Sequence, residues 1–144
     1  MTGPLLLDEE APARQRRVLV AEDDPEMRRL LSTLLRMAGH KVIEAADGQQ
    51  LLDQMELTAP GGRPQPIDVI VSDIDMPGLS GLDLLAALRC AHSRTPVVLI
   101  TAFGDEETRV EARELGAAAF LSKPVDPEAL RSAVDVATGR DALA

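Results

Sequence analysis

Glu22, Asp23 and Asp24 stand together at the end of one apolar run, Asp73 and Asp75 follow a second, Thr101 closes a third, and Lys123, next to Pro124, closes a fourth. If those runs lie side by side, their ends bring carboxylates, a hydroxyl and an amine into one crevice. Neighbouring carboxylates at a partly desolvated rim repel each other by on the order of a few kcal/mol at ~4 Å with an effective dielectric of ~20. A cation must offset that repulsion. A hard divalent ion such as Mg²⁺ takes oxygen ligands, usually one or two carboxylates plus water and phosphate oxygens, and the ammonium of Lys123 adds a further positive charge. Such a crevice is suited to receiving a phosphoryl group, whose transfer is catalysed mainly by positioning and charge neutralisation. One of the carboxylates can be the nucleophile.

Positioning requires strands that end together. Residues 17–21 (RVLVA), 41–46 (KVIEAA), 67–73 (IDVIVSD), 96–102 (PVVLITA) and 118–123 (AAFLSK) read as strands. Each is followed by a segment with helical spacing, at 24–40, 47–57, 81–93, 105–116 and 126–139. In the first of these, Met27, Leu30, Leu31, Leu34, Leu35 and Ala38 recur at helical intervals, and the four leucines are expected to face the core. Asp24 before Pro25 and Asp126 before Pro127 are cap-plus-proline starts, and Gly39 is a stop. Asp83 and Asp105 are expected at caps or turns.

Apolar strands that alternate with helices predict a parallel sheet covered on both faces, hence a doubly wound α/β domain of five βα units. Sheets of this kind bind ligands beyond the carboxyl ends of their strands, where the strand order reverses. The acids, Thr101 and Lys123 fall at those ends. The Pro/Gly-rich segment at 58–67 enters the opposite edge, so no chemistry is expected there.

The segments VLVAEDDPEMR, VIVSDIDMPGLSGLDLL, VVLITAFGD and AAFLSKP, in this order and with this spacing, resemble the receiver domain of two-component response regulators. The resemblance covers roughly residues 16–138, leaving a flexible extension at 1–15 and a short tail at 139–144. It implies a flavodoxin-like sheet of order 2-1-3-4-5. It makes Asp73 the phosphoacceptor, Asp23 a direct Mg²⁺ ligand and Glu22 the neighbouring acidic position, which often holds the metal through water. Asp75 matches a position whose backbone carbonyl binds the metal, while its side chain flanks the site. Thr101 matches the switch hydroxyl, Lys123 the lysine that pairs with phosphoryl oxygens, and Phe120 the switch aromatic. Lys123-Pro124 matches a step that is cis in well-studied members. Ala102 is small enough to leave the acceptor accessible, and Asp75 and Phe103 match positions that tune the lifetime of the phosphoryl group.

The resemblance also implies partners. A sensor histidine kinase or a histidine phosphotransfer protein would donate the phosphoryl group, and the face of the fourth helix, fifth strand and fifth helix would change shape to bind a downstream protein or a second phosphorylated copy. Only self-catalysed phosphorylation and dephosphorylation are expected, not turnover of a separate substrate. Few residues follow the fifth helix, so no effector domain is expected in this chain.

Composition narrows the classes further. A net charge of −9 and the absence of Trp and Tyr argue against a nucleic-acid surface. Three leucines followed by acids near the N-terminus fit neither a secretory leader nor a membrane span, so a cytoplasmic location without membrane insertion is expected. The single cysteine, Cys90, is expected to be a small buried apolar residue. His40 and His92 sit near helix ends and suit structural or solvated roles, not that of a phosphohistidine. Two rival functions remain. VIVSDIDMP also resembles the Asp-x-Asp strand of haloacid-dehalogenase phosphatases, although there the pair generally precedes the other metal-binding acids and a cap is present. The second rival is a degenerate receiver that binds partners without phosphorylation, against which the full set of Asp23, Asp73, Thr101 and Lys123 weighs.

Overall fold

The structure, a computed structural model, describes residues 15–57 and 66–139. Most of the N-terminal extension, of the 58–66 loop and of the C-terminal tail lies outside those residues. The elements are β1 (Arg17–Ala21), α1 (Pro25–Met37), β2 (Lys41–Ala45), α2 (Gly48–Leu57), β3 (Val69–Asp73), α3 (Gly81–Cys90), β4 (Val97–Thr101), α4 (Glu106–Glu114), β5 (Ala119–Ser122) and α5 (Pro127–Ala137). The strands pair in parallel in the order β2-β1-β3-β4-β5. This is the doubly wound arrangement that the βα alternation predicts, in the flavodoxin-like strand order that the resemblance implies.

Strand periodicity divides the core. Val18 and Val20 point to one side of the sheet, with Leu31 and Leu35 of α1 and Leu130 and Val134 of α5. Leu19 and Ala21 point to the other, with Leu51 of α2, Leu84, Leu85 and Leu88 of α3 and Ala112 of α4. The two central strands, β3 and β4, are buried along their whole length. β1 pairs with both β2 and β3, so the direction of winding reverses between β1 and β3. Their carboxyl ends therefore flank the crevice in which such sheets bind ligands.

The helix starts have the chemistry expected of them. Asp24 accepts from the Glu26 N–H and Asp126 from the Ala129 N–H, each with proline at the first turn. Asp105 caps α4 through the Thr108 N–H, and Asp83 forms a reciprocal capping box with Ser80. Gly39 closes α1 with a φ of +96°.

Two expectations about burial fail. Leu30 is 46% exposed, because α1 meets the sheet mainly through Leu31 and Leu35, and its apolar stripe is wider than the face it buries. Cys90 is exposed. It ends α3 two positions beyond Leu88, turned away from the face formed by Leu84, Leu85 and Leu88. His40 is buried and His92 is exposed with a φ of 61°.

Ser32, buried in α1, has no partner for its hydroxyl. Ser32→Ala removes that desolvated group and improves helix propensity, so it should stabilise the fold by about 1 kcal/mol. The expected reading is a higher urea midpoint with an unchanged slope.

Candidate functional site

Asp73 and Thr101 are the last residues of β3 and β4, and Glu22 and Lys123 lie one step beyond β1 and β5. The Glu22 N–H donates to the Ala45 carbonyl (3.1 Å), which extends the β1–β2 ladder and carries the Glu22 side chain inward, where it is 1% exposed. Asp73 ends β3 at 3% exposure, and the next N–H, of Ile74, donates to the Ile100 carbonyl (2.8 Å). Thr101 ends β4 and is buried. The Lys123 N–H donates to the Thr101 carbonyl (2.8 Å) just before a cis Lys123-Pro124 bond.

Lys123 reaches back across the sheet from there. Its Nζ lies 3.0 Å from Asp73 Oδ2 and 3.2 Å from Glu22 Oε1. One carboxylate oxygen each from Glu22, Asp23 and Asp73 lies within 4.8 Å of the others. Glu22 Oε1 is buried and, although paired in charge with Lys123, has no aligned hydrogen bond. Three oxygen donors around an incompletely satisfied buried carboxylate suit a hard cation.

Burial pushes the Glu22 carboxyl up to about 7; the Asp24 N–H opposes that rise, the Asp73 charge adds to it, and Lys123 pulls it back. Burial by itself would lower the Lys123 ammonium. The hydrogen bond and charge of Asp73, followed by the charge of Glu22, outweigh it and raise the pKa. The pair is thus held ionised on the lysine side, while Glu22 takes up a proton readily.

The acceptor loop is built by close backbone contact. The Gly81 N–H donates to the Ile74 carbonyl (3.0 Å). A Cβ at Gly81 would sit 2.7 Å from the Asp73 carbonyl oxygen, 3.0 Å from Ile74 Cα and 3.1 Å from Leu99 Cδ2. Backbone cannot swing aside as a side-chain tip can. Gly81→Ala should therefore destabilise by about 1–3 kcal/mol despite alanine's better helix propensity, and chemical denaturation of the variant would measure it.

Thr101 Oγ1 donates to Asp75 Oδ2 (3.2 Å) and accepts from the Phe103 N–H (3.0 Å), while the Asp75 N–H donates to Asp73 Oδ1 (3.1 Å). The Asp75 side chain therefore does more than flank the site, because it holds the Thr101 hydroxyl. Phe120 lies one layer out. A Cβ at Gly104 would meet Phe120 Cε1 at 3.1 Å and Thr101 Cγ2 at 3.3 Å, and the Arg109 guanidinium covers the ring at 4.6 Å. All the sequence-predicted site residues thus gather at one edge, with Phe120 on its flank.

Fold and site together define a doubly wound α/β signalling domain with an acidic crevice, and residues 18–135 match the family described as the response regulator receiver domain. The chain belongs to that family and is a receiver domain of the two-component response regulators. Among its relatives, the transcriptional regulatory protein CpxR of Escherichia coli (strain K12) is 41% identical over 114 residues, covering 79% of this chain and 45% of the relative. PdtaR of Mycobacterium tuberculosis (strain ATCC 25618 / H37Rv) is 38% identical over 142 residues, covering 97% of this chain and 64% of the relative. The chain thus spans about half to two thirds of the length of these relatives. The receiver domain of the Francisella response regulator 1452 superposes with a TM-score of 0.78 at 30% identity, covering 88% of this chain and 99% of that one. The chemotaxis protein CheY4 of Vibrio cholerae does so with a TM-score of 0.75 at 30% identity, covering 85% and 98%. Among the described residues, no helix is long and apolar enough to cross a membrane.

Proposed function

We propose that residues 16–138 act as a phosphorylation-driven switch in the cytoplasm, with Asp73 as the acceptor. A phosphohistidine of a sensor kinase or a histidine phosphotransfer protein is the donor. An Asp73 carboxylate oxygen forms the new O–P bond as the N–P bond breaks, and the imidazole nitrogen keeps the electron pair. Lys123, already 3.0 Å from Asp73 Oδ2, follows the charge onto the phosphoryl oxygens. Glu22, Asp23, Asp73 and the Asp75 carbonyl would hold Mg²⁺, which supplies charge neutralisation when bound.

Thr101 then exchanges its bond to Asp75 for one to the acyl phosphate. That withdraws the hydroxyl from its present place and opens room for Phe120 to turn inward. The α4–β5–α5 face changes shape and presents itself to a downstream protein or to a second phosphorylated copy. In energetic terms the modification biases a two-state equilibrium, and a swing from mostly off to mostly on takes several kcal/mol of differential interaction.

The observation that carries this reading is the Lys123–Asp73 ion pair inside the three-carboxylate cluster. The test is intact mass after incubation with acetyl phosphate and Mg²⁺. One added phosphoryl group is expected on the wild-type chain and none on Asp73→Asn or on a metal-free sample. Addition to Asp73→Asn at the wild-type level would place the acceptor elsewhere. Folded protein that accepts nothing from acetyl phosphate or from a histidine kinase would favour a phosphorylation-independent binding module.

A further inference from the structure

Asp23 presents a difficulty that its neighbours do not. Glu22 is locked by burial, by the bond from its N–H to Ala45 and by the Asp24 N–H on its own Oε2 (3.1 Å). Asp73 is held by Lys123 and by the Asp75 N–H. Asp23 is exposed, so the aim of its carboxylate depends on the backbone that carries it. That backbone has an unusual restraint. Arg28 Nη1, one turn into α1, donates to the Glu22 carbonyl at 2.8 Å. Its Nε lies 3.5 Å from Glu44 Oε1 on β2, and Glu44 Oε2 in turn lies 3.6 Å from Arg36 Nη1, two turns further along α1.

The Glu22 carbonyl and the Asp23 N–H belong to one rigid peptide plane. With the Glu22 N–H already anchored on Ala45, fixing the carbonyl's direction fixes that plane and the position of the Asp23 Cα; the Asp24 N–H, held on Glu22 Oε2, restrains the next peptide, and the two planes together set the vector along which the Asp23 side chain leaves. We propose that Arg28 is a positioning residue for metal binding, which sets the aim of Asp23 by clamping the Glu22–Asp23 peptide to α1 and, through Glu44, to β2. The guanidinium suits this task because its planar fork can engage two acceptors at once. The inference rests on the reading that Glu22, Asp23 and Asp73 hold Mg²⁺.

Charge and geometry predict opposite signs here. Arg28 is a cation beside a cation site, so by charge alone its removal should tighten Mg²⁺ binding. As a positioning residue its removal should weaken binding, and losing a partner that orients a metal ligand typically costs ~10–100-fold in affinity. Arg36 touches Glu44 and is the control for charge, since it shares that partner without reaching the Glu22 carbonyl.

The test is calorimetric titration of the full chain with Mg²⁺, for wild type, Arg28→Ala, Arg28→Lys and Arg36→Ala, each verified as folded by circular dichroism. Arg28→Ala should raise the dissociation constant at least ~10-fold, Arg28→Lys should fall between it and wild type, and Arg36→Ala should leave it unchanged or lower. The Mg²⁺ concentration that half-saturates phosphorylation should rise in step for Arg28→Ala, with a near wild-type rate once Mg²⁺ saturates. In the metal-free protein, the amide resonance of Asp23 should shift more in Arg28→Ala than in Arg36→Ala. If Arg28→Ala does not fold, Arg28→Met, which keeps most of the apolar stem, is judged by the same criterion. Wild-type binding with equal or tighter binding by the Arg28 variants overturns the inference and leaves the metal site standing. Absence of Mg²⁺ binding by wild type overturns both.

Discussion

Lys123→Ala is expected to slow phosphorylation of Asp73 by on the order of 100- to 1000-fold, as the loss of one preorganised charge-stabilising group does elsewhere, while Mg²⁺ binds as tightly as before or tighter. The two effects part because Lys123 has two relationships in the resting site. It neutralises Asp73 and Glu22 at 3.0 and 3.2 Å, and in that capacity it competes with a metal for their charge. It also lies against the carboxylate proposed as the acceptor, and there nothing else among the described residues offers an ammonium. Removing it makes the crevice more negative, which favours Mg²⁺, and leaves the transferring group one cation short. Phosphorylation rates at saturating Mg²⁺, set beside calorimetric Mg²⁺ affinity, separate the two. Parallel loss of both would mean that Lys123 merely holds the fold of the site together.

Glu22→Gln should stabilise the metal-free protein in a manner that depends on pH. Burial raises the Glu22 carboxyl from its ordinary 4.5 to about 7 in the folded state. Below pH 4.5 the group is protonated whether or not the chain is folded, and it makes no difference to stability. Between 4.5 and 7 the folded chain holds a proton that the unfolded chain has lost, so stability falls as pH rises. Above 7 the penalty is complete. At about 1.4 kcal/mol per unit, it amounts to roughly 3 kcal/mol, which glutamine, being neutral, does not incur. Urea denaturation in the presence of chelator should therefore give variant and wild-type midpoints that coincide near pH 4.5 and diverge by pH 8. The same substitution should weaken Mg²⁺ binding, because it deletes one of the clustered carboxylates. The acidic crevice costs the fold stability in return for a place to hold a cation.

Most of this arrangement was legible in the residues themselves. Asp24-Pro25 and Asp126-Pro127 announce helix starts because a side-chain acceptor and a preset φ are local properties. The ends of β1, β3, β4 and β5 mark the crevice because apolar runs stop there at acids, a hydroxyl and an amine. The strand order came from resemblance instead, since pairing between strands leaves no trace in periodicity. Leu30 and Cys90 were misjudged for related reasons. Residue type gives a habit of burial, whereas the position around the helix decides it, and Cys90 is out of step with Leu84, Leu85 and Leu88. The contacts of Asp75 with Thr101 and of Arg28 with the Glu22 carbonyl join residues 26 and 6 positions apart. Neither is fixed by local sequence, because each depends on how loops and helices settle against the finished sheet.

The central claim is that Asp73 receives the phosphoryl group. The measurement that tests it most directly is borohydride reduction of the chain after transfer from a phosphohistidine donor, followed by peptide mass spectrometry. An aspartyl phosphate is reduced where it stands, so the modified peptide names the acceptor. Reduction confined to position 73, and lost when Mg²⁺ is withheld, is the predicted result. Reduction at Asp23, Asp75 or any other carboxylate, with position 73 untouched, would contradict the account.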